Sequence, residues 1–129
     1  MKKYVGIPYV TRGRSFTGAD CYGLVWLYYF HEYGISLPLH SKIGFDGECS
    51  SLKQQCEESN IYRMDELCVV EDMKRGDILL LNVRGFPIHA AIVVNENRML
   101  HTSEDTKYSV IVPIRRNKIE SIYRNRLSN

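Results

Sequence analysis

The pattern of apolar and polar residues changes once along the chain. Up to about Asn60, apolar residues recur at helical spacing between loops, whereas from Asp65 onward they form short β-rich runs separated by turn residues. A block of helices followed by a block of strands is typical of an α+β fold rather than an alternating α/β fold. The sequence therefore predicts helices in the first half and a sheet in the second.

One helix dominates the first half. The spacing predicts a helix from Cys21 to Tyr33, with Asp20 as its N-cap and Gly34 at the position where glycine commonly ends a helix. Apolar residues fall on most of its sides, which predicts a buried central helix. A second, more polar helix is predicted over Ser51 to Ser59.

Six strands are predicted in the second half. They are Glu66 to Val70, Asp77 to Asn82, His89 to Val94, Arg98 to Thr102, Tyr108 to Pro113 and Ile119 to Tyr123. The connections between them are short, which favours an antiparallel sheet.

Size and charge narrow the class of protein. A chain of 129 residues with 44% hydrophobic residues fits a single domain, residues 1–129, with no repeat or linker. The net charge is only +2 and the basic residues are interspersed with acids, so nucleic-acid binding has little electrostatic support.

The basic start is not followed by the apolar stretch of a signal peptide, and no run approaches the ~18 apolar residues of a membrane span. We expect neither a cleaved leader nor membrane insertion.

Four cysteines lie at Cys21, Cys49, Cys56 and Cys68, without a CxxC pair. This spacing indicates free thiols in a protein made in a reducing compartment. The last three are expected to be small buried or half-buried apolar residues. Cys21 differs, because it opens the predicted central helix, where backbone N–H groups and the positive end of the dipole favour a thiolate.

A thiolate needs a base, and the predicted strands supply His89 and His101. A three-residue loop from Asn95 to Asn97 would place both imidazoles on one sheet face as diagonal neighbours, whereas a two-residue loop would place them on opposite faces. The two alanines after His89 would leave room for the start of the Cys21 helix. One histidine could then take the thiol proton while the other orients its ring.

The same three residues also suit zinc, which binds thiolate and imidazole. They come from separate elements and lack the short ligand pair common in zinc sites. We therefore favour the catalytic interpretation and expect no metal and no other cofactor.

Five motifs resemble the NlpC/P60 family of cysteine peptidases in order and spacing, over about Val5 to Ser103. They are Gly6-Ile7-Pro8-Tyr9, Gly18-Ala19-Asp20-Cys21-Tyr22-Gly23-Leu24-Val25, Arg75-Gly76-Asp77-Ile78-Leu79, Ile88-His89-Ala90-Ala91-Ile92-Val93 and Met99-Leu100-His101-Thr102. The resemblance implies a papain-like fold, with the nucleophile helix packed on an antiparallel sheet.

The resemblance also implies roles for individual residues. Cys21 would be the nucleophile, His89 the base and His101 the third polar residue. Tyr9 matches a family tyrosine whose hydroxyl lies near the nucleophile and substrate, and we group it with Asp20 and Tyr22 as the predicted substrate-binding residues. The backbone N–H of Cys21 is a natural oxyanion donor.

The implied activity is hydrolysis of peptidoglycan stem peptides through an acyl-enzyme, typically at the γ-D-glutamyl to diamino-acid bond. Tyr22 is bulky where cell-wall hydrolases usually have a small residue. Together with Tyr33-Gly34-Ile35-Ser36-Leu37-Pro38, it resembles the branch found in tail-tip assembly proteins of long-tailed bacteriophages. That branch implies a protein made in the bacterial cytoplasm, carried in the virion tail with other tail-tip proteins and acting on the cell wall. The alternatives are a structural or assembly component of the tail tip with residual or no activity, or a related amidase or acyltransferase.

Overall fold

The computed structural model describes residues 1–37 and 67–125. The first range contains two short strands and one helix, and the second contains six strands. In chain order they are β1 (Arg14–Ser15), β2 (Gly18–Ala19), α1 (Cys21–Tyr33), β3 (Leu67–Val70), β4 (Ile78–Val83), β5 (Phe86–Val93), β6 (Arg98–His101), β7 (Val110–Pro113) and β8 (Ile119–Asn125). Single 3₁₀ turns cover Lys2–Tyr4 and Arg116–Lys118.

The six later strands form one sheet in the order β3-β8-β4-β5-β6-β7. Every neighbouring pair is antiparallel, as the short connections predicted. Strand β8 returns between β3 and β4, so the last strand of the described residues is internal to the sheet. An α+β architecture with one central helix on an antiparallel sheet is confirmed.

Helix α1 begins and ends at the predicted residues. The Asp20 carboxylate accepts a hydrogen bond from the Gly23 backbone N–H (2.7 Å) and satisfies one of the unpaired donors of the first turn. At the other end, Gly34 adopts the left-handed conformation with φ 68°, and its N–H bonds back to Phe30. Eight of the helix residues are buried, in agreement with the prediction of a helix apolar on most sides.

The sheet buries apolar side chains on both faces, and strand alternation separates them. One face packs against α1 and contributes Ile78, Leu80, Ala90, Ile92, Leu100 and Tyr123. The other face forms a second cluster with Leu79, Leu81, Ala91, Val93, Met99 and Ile122. Only the first of the two alanines after His89 therefore lies on the helix side. The expectation that both leave room for α1 holds for Ala90 and is wrong for Ala91.

Strand β5 contains a bulge immediately before His89. Leu81 of β4 pairs with His89, but the next residue of β4, Asn82, pairs with Pro87, which leaves Ile88 as the extra residue. A bulge bends its strand and increases the local twist. Because it also interrupts the backbone hydrogen-bond ladder, it is one of the positions in a sheet that tolerate proline, which has no N–H to donate. The bulge is therefore expected to bend β5 directly before His89.

The N-terminal segment is fixed by residues about one hundred positions later in the chain. The Ile7 N–H donates to the Ser109 hydroxyl (2.9 Å), which in turn donates to the carbonyl of Tyr4. The Tyr9 N–H donates to the carbonyl of Lys107 (2.8 Å). On its other side this segment lies against β2, where Tyr9 and Ala19 form a parallel bridge. Tyr9 is thereby held between β2, which leads into α1, and the connection from β6 to β7.

Most strand boundaries agree with the predicted ones to within two residues. The largest difference is β5, which begins three residues early because Arg84 and Gly85 form a tight turn with φ 54° and 85°. The predicted helix over Ser51 to Ser59 lies outside the described residues, as do the side chains of Cys49, Cys56 and Cys68. The single domain over residues 1–129 stays a prediction. Within the described ranges, no helix is long and apolar enough to cross a membrane.

Gly23 provides a test of how closely the β1–β2 hairpin packs on α1. A Cβ atom at this position would lie 1.9 Å from the Gly13 carbonyl oxygen. Alanine favours the helix by about 1 kcal/mol over glycine, but the backbone oxygen cannot rotate away, and overpacking of this kind costs about 1–3 kcal/mol or more. We expect Gly23→Ala to lower the free energy of unfolding by about 1–2 kcal/mol in urea denaturation. A variant as stable as the wild type would contradict this close packing.

Candidate active site

Cys21 is the first residue of α1 and is buried in the core cluster between the helix and the sheet. Backbone N–H groups of a first helical turn point toward the helix start, and the dipole adds partial positive charge there. Both effects stabilise a thiolate relative to a thiol. The fold thus places this cysteine where the sequence predicted.

Asp20, directly before the nucleophile candidate, is completely buried, and its carboxylate is bonded within the protein. One oxygen accepts from the Gly23 N–H (2.7 Å) and from Arg14 Nη1 (3.0 Å). The other oxygen accepts from the Arg12 N–H (2.7 Å). The carboxylate therefore joins the start of α1 to the loop that leads into β1.

His89 and His101 face each other on adjacent strands. His89 Nε2 lies 2.9 Å from His101 Nδ1, and the two rings meet edge to face with their centroids 5.1 Å apart. The strand register agrees with the three-residue loop, since Ile92 pairs with Leu100, Val93 with Met99, and the Val94 N–H bonds to the Arg98 carbonyl. The predicted imidazole pair is formed, and Nδ1 of His89 is the nitrogen outside this hydrogen bond.

His101 is held in its neutral form. Burial, the larger cause, and the neighbouring His89 together lower the pKa of His101 from 6.5 to about 4. A neutral imidazole can accept a hydrogen bond at Nδ1 from the Nε2–H of His89. In that tautomer, His89 presents an unprotonated Nδ1 for a thiol proton, which is the arrangement expected of a base and its orienting partner.

A cavity of about 500 Å³ brings these residues together. Tyr9, Cys21, His89 and His101 line it, with Val83, Arg84, Ile88, Thr102, Ser103, Glu104 and Asp105. Its volume lies within the range of small-ligand sites. A second cavity of about 580 Å³ shares His89, His101 and Val83 with the first and is otherwise lined by Leu81, Asn82, Met99, Val112, Pro113, Arg115 and Lys118. The imidazole pair borders both cavities.

Tyr9 reaches the first cavity through the N-terminal segment described above. Burial, the largest cause, and the negative charges of Cys21, Asp20 and Glu104 together raise the pKa of Tyr9 to about 12, although a hydrogen bond with Thr11 acts in the opposite direction. The phenol therefore remains a hydrogen-bond donor at neutral pH. The charge effects also indicate that its ring lies near the nucleophile candidate.

The structure separates the three predicted substrate-binding residues. Tyr9 lines the cavity, but Asp20 and Tyr22 are completely buried and are not among its lining residues. Tyr22 packs in the core cluster, with the Arg14 guanidinium carbon 5.3 Å from its ring centroid. The bulk of Tyr22 is thus accommodated in the interior, and a contact of Asp20 or Tyr22 with substrate stays a prediction without geometric support here.

Charged residues on two loops also line the cavity and were not predicted. Arg84 lies on the β4–β5 turn, while Glu104 and Asp105 follow β6 in a turn closed by the Lys107 N–H on the Ser103 carbonyl (3.0 Å). Arg14 was missed as well. Exposed charges on loops have no periodic signal, so only the topology reveals that Arg84, Glu104 and Asp105 meet at one cavity.

The zinc hypothesis has no geometric support. Within residues 1–37 and 67–125, no group of three or more His, Cys, Asp or Glu side chains is arranged to hold a metal ion. Cys21, His89 and His101 share a cavity without forming a ligand set.

A thiol at the start of a helix, packed on an antiparallel sheet that supplies an imidazole pair, defines a papain-like fold. The model of the NlpC/P60 family matches residues 6–126. The chain belongs to the NlpC/P60 family.

Individual relatives agree with this assignment. The chain is 27% identical over 103 residues to a "Probable endopeptidase" of Haemophilus influenzae, covering 78% of this chain and 53% of the relative. It thus spans about half the length of that protein. Among solved structures, the NlpC/p60 domain of the peptidoglycan hydrolase SagA superposes with a TM-score of 0.63 at 19% identity, covering 94% of this chain and 89% of that one.

Another similar structure is RipD of Mycobacterium tuberculosis, with a TM-score of 0.57 and 17% identity over 97% of this chain and 90% of that one. It is described as a non-catalytic NlpC/p60 domain protein adapted to a peptidoglycan-binding function. The same fold therefore accommodates both hydrolysis and binding.

The low pKa of His101 predicts how stability depends on pH. Its folded pKa is about 4 against 6.5 when unperturbed, so between these values the unfolded chain binds more protons at this site and stability falls as the pH is lowered. His101→Gln removes this titration. We expect the melting temperature of the wild type to fall more than that of His101→Gln when the pH is lowered from 7 to 4. Parallel pH profiles of the two proteins would contradict a buried neutral His101.

Proposed function

We propose that the protein is a cysteine peptidase that hydrolyses the peptide stems of peptidoglycan at the γ-D-glutamyl to diamino-acid bond. The observation that supports this most is the hydrogen bond between His89 and His101 in a cavity that Cys21 also lines. Family membership supports the substrate class, since peptidoglycan hydrolases share this fold.

The reaction follows the logic of a thiol peptidase. His89 Nδ1 takes the proton of the Cys21 thiol, and the thiolate attacks the scissile carbonyl carbon. The backbone N–H of Cys21 is a candidate donor to the resulting oxyanion. The carbon–nitrogen bond then breaks, and His89 returns its proton to the leaving amine. Water, deprotonated by His89, attacks the thioester and releases the carboxylate and the free thiol.

His101 and Tyr9 complete the proposed site. A neutral His101 holds His89 in the tautomer whose Nδ1 is a base and stabilises the imidazolium that forms after proton transfer. The protonated hydroxyl of Tyr9 is suited to donate a hydrogen bond to a substrate carbonyl or carboxylate at the same cavity. No step requires a cofactor.

The setting we propose is the tail tip of a long-tailed bacteriophage, where the protein would act on the cell wall beside other tail-tip proteins. The support is the sequence resemblance that includes Tyr22 and the residues around Gly34. A second function, binding or assembly without cleavage, is favoured by one specific observation, the similarity to the non-catalytic RipD.

Substitution of the nucleophile separates these two functions. Cys21→Ala removes the thiol and Cys21→Ser replaces it with a poor nucleophile, so both should reduce hydrolysis of purified muropeptides by at least about a thousandfold. Mass spectrometry of the digest measures the loss and identifies the bond cut by the wild type. Alanine variants of Cys49, Cys56 and Cys68 are the controls and should retain turnover. Hydrolysis by either Cys21 variant would overturn the proposed mechanism, and an inert wild type would favour the binding function.

The roles of the two histidines can be distinguished in the same assay. His89→Ala should abolish turnover, because no other group can take the thiol proton. His101→Gln should keep part of it, since an amide oxygen can still accept the hydrogen bond from His89 Nε2. We expect kcat to fall by about 10-fold to 100-fold in His101→Gln and by at least about 1,000-fold in His89→Ala. Equal loss in two folded variants would show that the roles are assigned wrongly.

A further inference from the structure

A buried negative charge lies next to the proposed nucleophile. Asp20 is adjacent to Cys21 in the chain and is completely buried. Two negative charges at neighbouring positions repel each other, and the repulsion grows where water is excluded. A thiolate at Cys21 is therefore disfavoured by Asp20 unless another charge compensates.

Arg14 is placed to provide that charge. Its Nη1 lies 3.0 Å from Asp20 Oδ1 and 3.0 Å from the Gly13 carbonyl oxygen, and its side chain is only 16% exposed. The guanidinium also lies over the ring of Tyr22. A hydrogen-bonded acceptor and an aromatic face together fix both its position and its orientation.

We propose that Arg14 is a positioning residue, which acts through Asp20 by balancing the buried carboxylate so that Cys21 can exist as a thiolate at the helix start. The inference rests on the proposed function, because only a thiol that must ionise needs this compensation. It goes further by assigning an electrostatic task to a residue outside the cavity.

The alternative is that Arg14 is merely a mechanical link between the hairpin and α1. The carboxylate of Asp20 already accepts two backbone hydrogen bonds, from Gly23 and from Arg12, and these join the same two segments. Loss of the Arg14 side chain would leave both bonds in place. Arg14 also contacts the Tyr22 ring, but what it adds to the Asp20 carboxylate beyond these two backbone bonds is a positive charge.

Other groups also influence ionisation at Cys21. The titratable or charged residues that line its cavity are Tyr9, Arg84, His89, His101, Glu104 and Asp105. Arg14 and Asp20 are not among the residues that line the cavity. All the cavity residues stay unchanged in the variants below, so differences between those variants report on the Arg14–Asp20 pair.

The experiment is a pH series of Cys21 alkylation by iodoacetamide, read by peptide mapping, in wild type, Arg14→Gln, Asp20→Asn and the double variant. Arg14→Gln should raise the midpoint by about one pH unit, the effect of one uncompensated nearby charge, so that alkylation at a pH below both midpoints is about tenfold slower. Asp20→Asn should lower the midpoint. The double variant should return to near the wild-type midpoint, because neither charge remains and asparagine still caps the helix.

Two further variants complete the design. Arg14→Lys keeps the charge and should stay closer to wild type than Arg14→Gln. Lys3→Gln is the matched control, because Lys3 pairs with Glu32 (3.3 Å), which lies at the opposite end of α1 from Cys21. The Cys21 midpoint should not change in this variant. If Arg14→Gln fails to fold, the double variant compared with Asp20→Asn measures the effect of the Arg14 charge on Cys21, and the double variant compared with wild type shows whether the Arg14 and Asp20 charges balance each other.

The outcomes are decisive in both directions. An unchanged midpoint in Arg14→Gln, or a double variant displaced as far as Arg14→Gln, would overturn the electrostatic role. Alkylation does not require turnover, so the test is independent of substrate. A wild type that cleaves no muropeptide but shows the expected series of midpoints would refute the proposed function and leave the inference on Arg14 intact.

Discussion

The buried carboxylate of Asp20 is the constraint on which the site depends. Removing a charge from water is costly unless hydrogen bonds and an opposite charge replace the solvent. Here a helix N–H, a loop N–H and a guanidinium fill that requirement, and each comes from a different part of the N-terminal region. The need to satisfy this one group fixes where α1 begins and where the β1–β2 hairpin lies. Cys21 is the next residue, so its position follows.

The pair of histidines, His89 and His101, depends on a simpler constraint, the strand register. The three-residue loop from Asn95 to Asn97, closed by the Val94–Arg98 backbone bond, is enough to place His89 and His101 on one face, because side chains alternate along a strand. Of the two loop lengths considered from the sequence, the three-residue one predicted the contact that the structure shows at 2.9 Å. Helix α1 was predictable for a similar reason, since Asp20 and Gly34 mark its ends by local chemistry.

Other features have no local signature. Strands β1 and β2 have two residues each, too few for a period to appear. The extra residue at Ile88 arises from pairing with β4, a long-range event. In the sequence, nothing distinguishes Arg14 from a solvent-exposed arginine. Only the fold places it beside the buried Asp20. Sequence therefore predicted the groups proposed to do the chemistry and missed those that surround and support them, because support depends on tertiary contacts.

The attachment of the N-terminal segment has a consequence for how the protein folds. Residues 4 to 9 bond to residues 107 to 109, so the wall that includes Tyr9 closes a loop of about one hundred residues. Contacts of such long sequence separation form late, after shorter loops have closed. During synthesis, Tyr9 could join Cys21 and His89 only when Ser109, one hundred residues later, had also emerged from the ribosome. The nascent chain would thus lack a complete cavity until that later segment had been made.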